Sequence, residues 1–255
     1  SDQNFETAAQ LLAMAPGPEF VDQLLKGMEA GLQGDRVTRI PESLQKQVES
    51  VWNARPRTPS LVSFALRLGH PAAAEAAVNS LSAPRISAAE RKSLLQLLAE
   101  RRVETAVPVI TAMLKSEKND AARLDLINAL SQFSTAEAGQ TILELFPTFS
   151  AKTRAAAVNA LSTRVEWARS MLERVDRGQL KKEQISVSNL LAIQRLADPH
   201  IEKLLKKHWG NLRASQGDKE ELIRNIRTTL TRSPGDAAKG RETFKSLCAQ
   251  CHTLH

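Results

Sequence analysis

The sequence is poor in cysteine, in aromatic residues and in long apolar runs, and each shortage removes a class of protein. Only two cysteines occur in 255 residues, so no second pair is present to complete a four-cysteine zinc site. Aromatic residues make up 4% and tyrosine is absent, while alanine and leucine dominate. Strands favour β-branched and aromatic residues, so this composition points to closely packed helices rather than a sheet. No apolar run approaches the roughly 18 residues of a membrane span. The opening Ser1-Asp2-Gln3-Asn4 has neither a basic nor an apolar leader stretch. No glycine-rich phosphate loop, nucleophile elbow or marked acid/base pair is found, and Glu144, Glu166 and Glu173 read as helix-surface carboxylates. Enzyme activity is therefore not expected to reside in this chain. Lys and Arg number 35 against 28 Asp and Glu, a net charge of +7, which reads as solubility before it reads as nucleic-acid binding.

What is present concentrates at the end. Both cysteines stand as Cys248-Ala249-Gln250-Cys251, followed at once by His252, one of five histidines. C-x-x-C-H is the attachment motif of c-type haem. On a helical turn the two thiols face one side, as thioethers to both haem vinyl groups require, and the adjacent imidazole reaches the iron. Two other readings compete. A thioredoxin-like pair expects a βαβ setting, and no strand is legible here. Half of a zinc site expects further ligands, and the other histidines are scattered. His70, His200, His208 and His255 read as turn, helix-end or tail residues rather than iron ligands, and Met14, Met28, Met113 and Met171 as core.

Upstream, Gly240, Phe244 and Cys248 follow at i, i+4 and i+8 and so share one helical face. Gly240-x-x-x-Phe244-x-x-x-Cys248-x-x-Cys251-His252 resembles the first helix of class I cytochromes c. That resemblance implies haem c held by Cys248, Cys251 and His252, with His252 on the metal. It also implies a closing helix and a distal methionine that do not follow here, so 236–255 reads as the opening of a cytochrome c domain.

The middle of the chain repeats. Leu98, Leu130, Leu161 and Leu196 each end an amphipathic stretch, at intervals of 32, 31 and 35 residues, and an earlier copy aligns on Leu68. Two positions before the four stand Gln96, Asn128, Asn159 and Gln194, and seven before the first three stand Arg91, Arg123 and Arg154. A second helix is predicted after each marker, over Pro71–Leu81, Glu104–Leu114, Ala136–Phe146, Val165–Val175 and Pro199–Trp209. Ser87–Glu90 and Ser134–Glu137 read as capping boxes. Helix pairs at this period cannot bury their stripes alone, which predicts an all-α fold, an α-solenoid of HEAT-like pairs. The recurrent arginines are expected to tie neighbouring repeats together.

Before the repeats, helices are predicted over Phe5–Ala15, Pro18–Leu32 and Pro41–Asn53, with a polar turn over 34–39 and a connector over 55–59. After them, Asp218–Glu221 is expected to cap a helix striped by Leu222, Ile223, Ile226 and Leu230, and Asp236 to cap the next. The resulting division is 1–57 for irregular N-terminal helices, 58–209 for repeats, 210–235 for linker and capping helix, and 236–255 for the cytochrome start.

Solenoid, capped helix and Cys-x-x-Cys-His in this order are similar to the haem-binding proteins of Planctomycetes and Verrucomicrobia. The resemblance implies an electron-transfer module in a periplasmic or otherwise exported protein, serving a redox partner or a fused dehydrogenase domain. Haem c is expected in the full-length exported protein and not in this piece alone. The competing reading is a protein- or polysaccharide-binding scaffold, with a DNA-gripping solenoid a more distant third and nucleic acid not an expected partner.

Overall fold

The computed structural model describes residues 2–32, 40–54, 56–83, 86–211, 216–232 and 235–249, with side chains of 2–3 and 216–219 excepted. The expected turn over 34–39, Arg55, Ser233, Pro234, Cys251, His252 and His255 lie outside the described residues. Fifteen α-helices and no strand occur among the described residues. No described helix is long and apolar enough to cross a membrane. The chain divides into two compact units, 1–204 and 205–255.

The first unit opens with α1 (Asp2–Met14), α2 (Pro18–Gly31) and α3 (Glu42–Ala54). Ten helices follow in chain order: α4 (Pro59–Arg67), α5 (Ala73–Leu81), α6 (Ala88–Glu100), α7 (Val107–Ser116), α8 (Asp120–Leu130), α9 (Ala136–Leu145), α10 (Ala151–Leu161), α11 (Val165–Asp176), α12 (Val187–Gln194) and α13 (Pro199–Trp209). The unit boundary falls within α13. α4, α6, α8 and α10 pack neighbour to neighbour in one row, and α7, α9 and α11 do so in another.

The core explains the row. Leu61, Val62, Phe64 and Ala65 are buried in α4, and Leu94, Leu95, Leu97 and Leu98 in α6. Leu126, Ile127, Ala129 and Leu130 repeat the pattern in α8, Ala157, Val158, Ala160 and Leu161 in α10, and Leu190 and Ile193 continue it in α12. Ala65, Leu98, Leu130, Leu161 and Ile193, all at 0% exposure, stand 33, 32, 31 and 32 residues apart. Leu98, Leu130 and Leu161 are fully buried, as expected of the core, but Leu196 is not. It is half-buried in the turn after α12, and Ile193 takes its place. The same three-residue offset applies at the other end, where Ala65 rather than the half-buried Leu68 is the equivalent.

Helix starts follow local chemistry. Ser87 forms the full capping box with Glu90, accepting from the Glu90 N–H while the carboxylate returns to the Ser87 N–H at 3.0 Å. The second expected box does not form. α9 starts after Thr135, Ser134 Oγ accepts instead from Arg164 Nε at 3.4 Å, and Glu137 accepts from Thr111 Oγ1 at 3.2 Å. Tertiary partners have drawn both side chains away from the helix end. Asn119, Ser150 and Ser186 cap α8, α10 and α12.

The arginine expectation holds in part. Arg123, 8% exposed, donates through Nε to Glu117 O at 2.9 Å and through Nη1 to Thr148 O at 3.1 Å, with its guanidinium over Phe149. It thus joins the end of α7 to the turn before α10 and complements carbonyls left free at helix ends. Arg154 reaches only Pro147 O, at 3.3 Å, and Arg91 Nε is buried without a hydrogen-bond partner. The methionines divide: Met171 is core, Met28 and Met113 are half-buried, and Met14 is 78% exposed, contrary to the expected core role. Met14 ends α1, where its side chain has passed the buried face made by Ala9 and Leu12.

In the second unit, α14 (Gln216–Arg232) begins two residues before Asp218, which lies in its first turn rather than ahead of it. Its stripe is exposed, with Leu222 at 58% and Leu230 at 64%. α15 (Ala237–Leu247) follows.

Candidate functional site

The Cys248-x-x-Cys251-His252 string begins where α15 ends. Asp236 caps that helix as expected, Oδ1 accepting from the Ala238 N–H at 2.9 Å and the Lys239 N–H at 3.1 Å. Cys248 is the C-cap residue. Its N–H and that of Ala249 both bond Phe244 O, at 2.8 and 3.0 Å, which closes the last turn. Gly240, Phe244 and Cys248 therefore lie along one helical face. Phe244 is half-buried, Leu247 is 75% exposed, and Cys248 is a free, exposed thiol. Nothing lies within 4 Å of the place a Cβ on Gly240 would occupy.

Of the three predicted haem residues the structure places Cys248, and Cys251 and His252 lie outside the described residues. The one placed residue, Cys248, has an accessible thiol at a helix end, one turn beyond the aromatic ring of Phe244 on the same face. Among the described residues, no three His, Cys, Asp or Glu side chains gather to hold a metal ion.

The remaining described histidines have local partners. His70 Nδ1 accepts from the Ala72 N–H at 3.3 Å, which leaves its Nε2 proton to donate to Glu49 at 2.8 Å. The ring also stacks at 4.6 Å on Trp52, itself under Arg57. Glu49 is held below the usual carboxylate range by Asn53 first and His70 second. His200 lies 3.3 Å from Glu173, and His208 packs edge-on against Trp209.

A second feature lies in the first unit, on the solvent side of α6 and α8. A cleft of about 580 Å³ is lined by Lys92, Gln96, Glu100, Asp125, Asn128 and Gln132, with Arg67 among the residues at its wall. Its charges are internally balanced. Arg67 makes two-pronged contact with Glu29 and lies 3.5 Å from Glu100, and Lys92 pairs with Asp125 at 3.2 Å. Sequence reasoning found the amides Gln96 and Asn128 by their recurrence but missed the ion pairs.

No known protein family, no curated protein and no solved structure matches the chain.

Proposed function

We propose that the protein is an electron-transfer module, a HEAT-like α-solenoid followed by a helical segment that presents a covalently attached c-type haem. The observation that carries the proposal is the string Cys248-x-x-Cys251-His252 directly after a helix capped by Asp236, with Gly240, Phe244 and Cys248 on one face. The regular burial of Ala65, Leu98, Leu130, Leu161 and Ile193 supports the repeat reading.

Cys248 and Cys251 would hold the haem by thioethers, and His252 would ligate the iron. The haem supplies one-electron chemistry, and the chain supplies attachment, orientation and docking distance. Phe244 would cover apolar edge on the Cys248 side. In this reading the chain lacks catalytic residues of its own and serves a redox partner or fused dehydrogenase domain in an exported setting, as the resemblance to the haem-binding proteins of Planctomycetes and Verrucomicrobia implies.

Pyridine haemochrome spectroscopy tests the reading on protein exported alongside haem-attachment machinery. A c-type spectrum is expected, lost when Cys248 and Cys251 are both replaced by alanine. Absence of the spectrum from the exported wild type overturns it. Protein made in a reducing cytoplasm should carry two thiols and no haem.

A further inference from the structure

We propose that α14 pairs with the same helix of a second copy of this chain, the two running antiparallel along the Leu222–Leu230 stripe. The stripe is open to solvent: Leu222, Ile223, Ile226 and Leu230 are all between 48% and 64% exposed. Ile223, Ile226 and Leu230 follow at intervals of three and four residues, the spacing of a two-helix seam, and Leu222 widens that seam on one side.

The charges beside the stripe select the occupant. Glu220 and Arg227 stand seven residues apart, so both lie on the flank away from Leu222. Both side chains are exposed, and neither has an ion-pair partner among the described residues. When a second α14 runs antiparallel, with Ile223 layered on Ile226 of the other copy, like flanks meet. Glu220 of each copy then faces Arg227 of the other, and the two-fold axis makes both pairs at once. A parallel copy would set Arg227 against Leu222 and pair neither charge.

A uniformly basic flank would suit an anionic surface. This flank carries one charge of each sign, and the surface that carries the same two in reverse order is the helix itself. A seam of four apolar side chains per copy is small, below the roughly 1,200 Å² of a standard interface. The dimer is therefore weak and reversible, with a dissociation constant on the order of 100 μM.

Sedimentation equilibrium of the full chain tests this from about 5 μM to about 1 mM, a range that brackets that constant. A thiol reductant is present so that the exposed Cys248 cannot link copies. The weight-average mass should climb from 28.0 kDa toward twice that value. Ile226→Glu changes an exposed side chain and should hold the mass at one copy, with the melting temperature at low concentration unchanged. Glu220→Arg and Arg227→Glu each oppose like charges across the seam, and each should weaken association about tenfold. Mixed in equal amounts the two charge variants should regain it, because a mixed pair restores both contacts. Three outcomes overturn the proposal: one copy at every concentration, which would assign the stripe to another partner; association indifferent to Ile226→Glu; or a mixture of the charge variants that associates no better than either alone. The haem reading stands or falls separately, since these replacements leave Cys248, Cys251 and His252 in place.

Discussion

Arg67 grips Glu29 from 38 residues away, donating from Nε at 3.0 Å and from Nη2 at 2.8 Å to the same carboxylate oxygen. The pair is nearly enclosed, with side-chain exposures of 9% and 15%, and fastens α2 to α4 at the edge of the cleft. Removing one member strands the other in a poorly solvated site, which typically costs about 3–5 kcal/mol. Arg67→Met should therefore destabilise strongly in urea unfolding. Glu29→Met should do so less, because Glu100 still faces the guanidinium at 3.5 Å. The double replacement should cost less than the two single effects added.

Two helical glycines should respond in opposite directions to alanine. A Cβ on Gly139 would fall 2.5 Å from Trp167 Cδ1, and the indole is fixed by its bond to Thr135 O at 3.1 Å. Gly139→Ala should destabilise by about 1–3 kcal/mol despite alanine's helix preference, and should alter Trp167 fluorescence. Gly27 in α2 has nothing within 4 Å. Gly27→Ala should stabilise by about 0.5–1 kcal/mol, read as a higher melting temperature.

Acid should weaken the fold through identifiable carboxylates. The Asp198 carboxyl is held below its ordinary value of 3.8, first by the Ile201 N–H and then, against the cost of burial, by Arg169 Nη2 at 2.8 Å. Glu90 is lowered chiefly by the Ser87 hydroxyl. A group with a depressed folded value stabilises above its unfolded value, and that contribution disappears as pH falls through the folded one. Melting temperature should thus be nearly flat above about pH 5 and decline below about pH 4. Asp198→Asn, which keeps a capping oxygen but cannot titrate, should show a shallower decline.

The helices of the middle of the chain were legible because Leu98, Leu130 and Leu161 end stretches of matching length, and the helices over Val165–Asp176 and Pro199–Trp209 followed from the same period. Its edges were not. α4 and α12, at nine and eight residues, are shorter than α6, α8 and α10, so counting back from a terminal leucine lands three residues late. The buried series passes through isoleucine and alanine there, which a search for leucine overlooks. Ile193→Ala should cost about 3 kcal/mol and Leu196→Ala about 1 kcal/mol, measured by chemical unfolding, and the reverse order would restore the leucine register. At the candidate haem site, residue type and spacing were legible, as was the Asp236 cap. The exposure of the Leu222–Leu230 stripe was not, because an apolar stripe records a preference for cover without naming what provides it.

The most direct measurement of the central claim is the intact mass of the exported protein after denaturation. Covalent haem through Cys248 and Cys251 predicts a mass increase of one haem per chain that survives unfolding and acid extraction, together with loss of both thiols to alkylation. An unchanged mass with two alkylatable thiols, in cells whose own cytochromes are matured, would contradict it.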